Sequence, residues 1–185
     1  MQIYIGIIIF MLHMNIRLLF LLILTLSCNE NYYEKYAVVS ATKEATNAGI
    51  KILEQGGNAF DAMIAVDLAL AVTYPNAGNL GGGGFMVYID SSGQSGSLDF
   101  REKAPKKSHS SMYLDENGEV ITGLSYEGAL SVGIPGTVAG LFEVYNKFGS
   151  ISLDKIFEPA ISLAKNGYSL TKNNQNFTMI LRERS

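Results

Sequence analysis

The stretch Tyr74 to Arg101, YPNAGNLGGGGFMVYIDSSGQSGSLDFR, decides how this chain folds. It leaves an apolar segment through a loop, passes through Gly81-Gly82-Gly83-Gly84, and continues as the alternating run Phe85-Met86-Val87-Tyr88-Ile89. A turn over Ser91 to Gly96 and a return strand Ser97 to Phe100 complete a predicted hairpin that ends on Arg101. Each glycine in a rigid element costs roughly 0.5–1 kcal/mol relative to alanine, so four in succession need a compensating role. A phosphate cradle would require a Lys-Ser/Thr pair after the glycines, or the GxGxxG register opening a helix. A strand follows instead, which argues against a nucleotide site. A flexible linker fits poorly, because the flanks are apolar and serine-rich composition is missing. The remaining reading is a strand that begins in close approach to another backbone or to a ligand.

Upstream, Ala37 to Ala41 reads as a short buried strand. Glu44 to Gln55 is a helix stopped by Gly56-Gly57. Asn58 is placed to cap the next helix, Ala59 to Thr73, with Asp61 in its first turn. That helix is apolar on nearly every side and belongs between layers. Its exception, Asp67, is expected on a solvent-facing or paired edge rather than as a functional acid. Downstream of the hairpin, Lys103 to Glu127 is polar and turn-rich and reads as solvated surface. Gly133-Ile134-Pro135-Gly136 breaks the chain before a helix Thr137 to Phe148. Ser152 is placed to cap another, which Pro159 should interrupt or kink and Asn166-Gly167 should end. A further helix after Thr171 meets no stop signal before Ser185, which suggests truncation there.

The 185 residues, 48% of them apolar, suffice for one domain with a real core. A net charge of -3 carries no nucleic-acid footprint. Residues 1–27 are largely apolar and read as a secretory signal, whose start is either Met1 or Met14. Ser27-Cys28 followed by polar NENYYEKY resembles a relaxed bacterial lipoprotein site with residues 28–36 as its tether. An uncleaved membrane anchor is the alternative, and Cys28 is otherwise a chance thiol at the end of the signal. As the only cysteine, Cys28 permits no disulfide within the chain. The two histidines, His13 and His109, give no evident triad, and the clusters that bind zinc are missing.

Several ordered motifs carry a family resemblance. PNAGNLGGGGFM (75–86) and LDFRE (98–102) with Ala104-Pro105 resemble the large subunit of γ-glutamyltransferases, also called glutathione hydrolases. EQGGNAFDA (54–62), SVGIPGTVAG (131–140) and FEPAISLAKNGY (157–168) match the same family in order, so the resemblance covers about residues 37–170. Tyr74 departs from it, standing where a polar or histidine residue is expected.

The resemblance implies an α+β fold, the four-layer αββα sandwich of N-terminal-nucleophile hydrolases, with residues 37–185 as the N-terminal part of the large subunit. It also implies a precursor that cuts itself, so that the N-terminal threonine of the small subunit becomes a nucleophile activated by its own α-amino group. That threonine would lie beyond Ser185, leaving no catalytic residue in this chain. The γ-glutamyl group of glutathione or a related compound would pass to water, an amino acid or a peptide, with no metal or organic cofactor. The apolar start and Ser27-Cys28 point to an exported, periplasmic or lipid-anchored protein, in contact with the membrane only through its signal or lipid. By the same resemblance, Arg101 should bind the substrate α-carboxylate, for which a planar guanidinium fork is suited. From the residues alone, Arg101 ends a strand, where binding residues are common, but a surface ion pair with Asp99 or Glu102 is the favoured reading. Strand alternation places Asp99 on the Arg101 side and Glu102 opposite. Gly81, Gly82, Gly83 and Gly84 would then form a close-packed wall of the site. The alternatives are an amidohydrolase resembling cephalosporin acylases, or a lipid-anchored binding protein that kept the fold without the nucleophile.

Overall fold

The computed structural model describes residues 35–172 and 175, and the segment read as a signal and Cys28 lie outside that set. The chain divides into two units, Met1–Tyr36 and Ala37–Ser185, and the second carries all the elements below. Among the described residues these are α1 (Lys43–Glu54), α2 (Ala59–Thr73), β1 (Phe85–Ile89), β2 (Ser95–Asp99), a single 3₁₀ turn, α3 (Thr137–Phe148) and α4 (Leu153–Asn166). No described helix is long and apolar enough to cross a membrane.

The central element is α2, which packs against α1, α3 and α4. Small residues set the distance to α1: a Cβ on Gly49 would lie 2.7 Å from Val66 Cγ2. Ile52 of α1, Ile64 and Ala65 of α2, Leu141 and Val144 of α3 and Ile156 of α4 form the main core. The capping box at the start of α2 is complete. Asn58 Oδ1 accepts from the Phe60 and Asp61 amides, and Asp61 Oδ2 accepts from the Asn58 amide at 3.0 Å. The fully buried Asp61 also accepts from the Ser150 amide, at 3.1 Å, and from its hydroxyl. Asn58 Nδ2 donates to Phe148 O at 2.7 Å, so one cap fixes both the start of α2 and the end of α3.

β1 and β2 pair antiparallel in the register Phe85↔Asp99, Val87↔Ser97 and Ile89↔Ser95. Met86 and Leu98 face the core, while Phe85, Val87 and Ile89 are exposed. Tyr88 lies over Gly96 and meets the stacked pair Phe60 and Phe148 edge-on.

Four sequence expectations need correction. Ala37–Ala41 is not a strand; no described strand lies beside it to pair with, and Val39 is fully open to solvent. Ser40 instead bonds Thr42 O and Thr46 Oγ1, and Thr42 caps α1. The hairpin turn sits earlier than Ser91–Gly96, because Asp90 Oδ1 accepts from the Ser92 and Gln94 amides and Gly93 takes a φ of 82°. β2 therefore starts at Ser95. Pro159 does not interrupt α4, which runs on through it with the proline buried, and Ser152 makes no side-chain cap. Lys172 and Gln175 are helical, with the Gln175 amide bonded to Thr171 O, and the rest of the helix expected after Thr171 lies outside the described residues.

Candidate functional site

The glycine run ends against the segment that carries Arg101. Phe100 donates its amide to Gly84 O at 3.0 Å, extending the hairpin by one bond. A Cβ on Gly83 would lie 2.6 Å from Arg101 Cα, 2.7 Å from Phe100 O and 2.8 Å from Glu102 N. All three are main-chain atoms, so no side-chain rotation could make room. Gly84 lies equally close to the Phe100 ring, and Gly82 is buried against the Asn79 side chain. Gly81 meets nothing and is exposed. The close approach thus requires glycine most firmly at Gly83 and not at all at Gly81.

A second glycine segment closes the other side. A Cβ on Gly136 would collide with Phe100 O, and one on Gly140 with the Phe100 ring. Lys103 and Ile134 exchange backbone hydrogen bonds in both directions, at 3.1 and 2.8 Å. Gly82 O accepts from the Gly136 and Thr137 amides at 2.8 and 3.0 Å. These donors at the start of α3 have no partner within the helix and no side-chain cap, so the glycine run supplies their acceptor. The backbone around Arg101 is held between two glycine segments, one of which was legible in sequence as a close approach. The role of Gly133 to Gly140 was missed, since its punctuation reads only as a helix start.

Arg101 lies just past the end of β2, so strand alternation does not govern it. Asp99 Oδ1 accepts from the Arg101 amide at 3.0 Å and makes no ion pair with the guanidinium. Glu102 approaches only Nε, at 3.9 Å. Arg101 Cζ lies over the Phe85 ring, 5.5 Å from its centroid. The two terminal guanidinium nitrogens take no partner among the described residues. The side chain is 63% exposed, at a cavity of about 320 Å³ that Lys103, Ile134, Gly136 and Glu143 also line. An open fork on a fixed backbone, next to a cavity, can take a carboxylate bidentately.

A second cavity, of about 250 Å³, lies beside the glycine run, lined by Asp67, Leu70, Asn79, Gly83, Gly84 and Phe100. Asp67 is half-buried there, and burial pushes its carboxyl above its ordinary pKa. It has no ion pair or hydrogen bond among the described residues, so neither the paired nor the solvent-facing edge expected for it describes its position. His109 sits in an exposed loop with Nδ1 3.1 Å from Ser111 Oγ, and no described carboxylate bonds its ring. Among the described residues no three His, Cys, Asp or Glu side chains converge as a metal site.

The Gamma-glutamyltranspeptidase family model matches residues 45–183. The chain belongs to the γ-glutamyltranspeptidase family. Against the glutathione hydrolase proenzyme of Pseudomonas sp. strain A14 it is 48% identical over 137 residues, covering 74% of this chain and 24% of that protein. The chain thus spans about a quarter of the length of that curated relative. The crystal structure of Helicobacter pylori γ-glutamyltranspeptidase superposes with a TM-score of 0.76 at 44% identity, over 82% of this chain and 43% of that one. A cephalosporin acylase from Bacillus halodurans superposes with a TM-score of 0.65 at 26% identity, over 85% and 30%. The α+β fold of this chain is that of the N-terminal-nucleophile hydrolases, of which it supplies a part.

Proposed function

We propose that residues 37–185 are the N-terminal part of the large subunit of a γ-glutamyltransferase, and that Arg101 holds the α-carboxylate of its γ-glutamyl substrate. The observation that carries this reading is the guanidinium fork, free at both terminal nitrogens beside a cavity, on a backbone fixed by Gly83 and Gly136. Glutathione is the substrate suggested by the name of the Pseudomonas relative, whose proenzyme label also supports a small subunit cut from the same precursor. The nucleophilic threonine belongs to that subunit, and Gly83 and Gly84, which line the neighbouring cavity, back the segment that carries Arg101. Residues 1–27 export the precursor, and Cys28 carries lipid afterwards. The likeness to cephalosporin acylase supports a second reading, a hydrolase of another amide whose acyl group also bears a carboxylate.

Arg101→Ala in the full precursor tests the assignment. Hydrogen bonds to a charged group contribute about 1.5–3 kcal/mol. Loss of one near the upper end lowers kcat/KM toward a γ-glutamyl anilide about a hundredfold, at 1.36 kcal/mol per factor of ten. Arg101→Lys recovers part, keeping charge without the fork. Self-cleavage into subunits persists in both. Near-normal kinetics in processed Arg101→Ala overturns the assignment, and a cephalosporin side-chain amide cleaved in preference to the γ-glutamyl anilide favours the second reading.

A further inference from the structure

We infer that Phe85 is a positioning residue for Arg101, holding its guanidinium over the ring so that the terminal nitrogens stay free for the substrate carboxylate. This rests on the reading of Arg101 as the carboxylate clamp. An exposed arginine loses rotamer freedom when it is fixed, so a clamp needs something to preorganise it. A strong carboxylate partner would do so at the expense of the donors the substrate needs. The structure avoids that competition: Asp99 is occupied by the Arg101 amide, and Glu102 reaches only Nε, at 3.9 Å. An aromatic face attracts the cation through its quadrupole and consumes no N–H.

The hairpin puts Phe85 where it can act in this way. Phe85 pairs with Asp99 across the sheet, on the exposed face, and Arg101 follows two residues later, its Cζ 5.5 Å from the ring centroid. The strand enters directly from Gly84, whose carbonyl binds the Phe100 amide, so ring and guanidinium are mounted on the same pair of hydrogen-bonded segments. The guanidinium carbon then lies over the Phe85 ring, with a carboxylate near Nε and the terminal nitrogens open.

The test is a double-mutant cycle in the processed, full-length protein, with kcat/KM read on a γ-glutamyl anilide. A cation–π contact is worth between about 0.5 and 2 kcal/mol, which makes Phe85→Leu roughly twofold to thirtyfold slower. Phe85→Tyr restores the rate. In an Arg101→Ala background, Phe85→Leu has no further effect, because the ring acts only through the guanidinium. Where Phe85→Leu fails to fold or to process, fluorinated phenylalanines at position 85 keep the shape while draining the ring quadrupole. The rate then falls stepwise with each fluorine. Equal losses from Phe85→Leu with and without Arg101, or a rate indifferent to fluorination, overturn the inference while leaving the Arg101 clamp intact. A near-normal Arg101→Ala sinks the clamp and this inference with it.

Discussion

At the scale of single residues, glycines that look alike in sequence differ sharply in what they do. Gly83→Ala sets a Cβ against main-chain atoms of Phe100, Arg101 and Glu102, and overpacking of this kind costs about 1–3 kcal/mol. Gly81→Ala enters open space and should stay within about 0.5 kcal/mol. Thermal unfolding of both variants in the full precursor checks the contrast, and equal stabilities would refute it. Four glycines before a strand pointed to a close approach; which of them touch, and what they touch, depended on Asn79 and on the path of Phe100 to Glu102 across the hairpin. Asp67 escaped sequence reasoning for a related reason, since helical periodicity cannot reveal a cavity made by another segment. Its raised pKa means that the folded state takes up the proton more readily than the unfolded chain. That contribution to stability is present below about pH 4, the ordinary carboxyl range, and is lost as pH rises through the folded value. At neutral pH the fold bears a half-buried charge, so Asp67→Asn should stabilise by up to about 1 kcal/mol. The gain should vanish near pH 3. A Tm increase of the same size at both pH values would show that the substitution acts through packing rather than charge.

At the scale of elements, helix boundaries were the most legible feature, because their signals are local. Asn58, Asp61, Gly56 and Gly149 stand where a cap or stop is required, and α1, α2 and α3 start and end within a residue or so of the expected positions. What stayed hidden was the second use of Asp61, which ties α2 to Ser150 after α3. Asp61→Ala leaves the Asn58 amide, the Ser150 amide and the Ser150 hydroxyl without their acceptor, a loss of about 2–4 kcal/mol. Asp61→Asn keeps an acceptor oxygen and should lose less. Urea midpoints of the two variants measure this, and a cost below about 1 kcal/mol for Asp61→Ala would contradict it. The hairpin strands were legible and their turn was not, because the Asp90 side chain closes a loop that composition alone spreads over Ser91–Gly96. The same arrangement recurs at Asp115, whose Oδ1 accepts from the Asn117 and Glu119 amides while Gly118 takes a φ of 82°. Ala37–Ala41 failed as a strand because β-propensity needs a neighbouring strand to express itself.

At the scale of the whole molecule, the two-stranded sheet exposes Phe85, Val87 and Ile89 on one face and leaves both outer edges unpaired among the described residues. An apolar groove lined by Leu68, Val72, Leu80, Phe157, Ala160 and Ile161 adds further uncovered surface. Residues 37–185 expressed alone should therefore be poorly soluble or molten, with weak near-UV dichroism. They should also release no chromophore from a γ-glutamyl anilide, because the proposed nucleophile comes with the small subunit. A cooperative melt with sharp near-UV signals would count against the first expectation, and turnover above a buffer control against the second. The family, and with it the N-terminal-nucleophile hydrolase fold, was legible from ordered motifs, although no pattern within the described residues specifies what covers the exposed face. The contact of Gly83 and Gly136 with the backbone of Phe100 to Glu102 has an evolutionary consequence. Because main-chain packing fixes the backbone at Arg101, the side chains of Lys103, Ile134 and Glu143 at the cavity can change without displacing it, and under the role proposed for Arg101 such changes would alter which substrates fit while the arginine keeps its place.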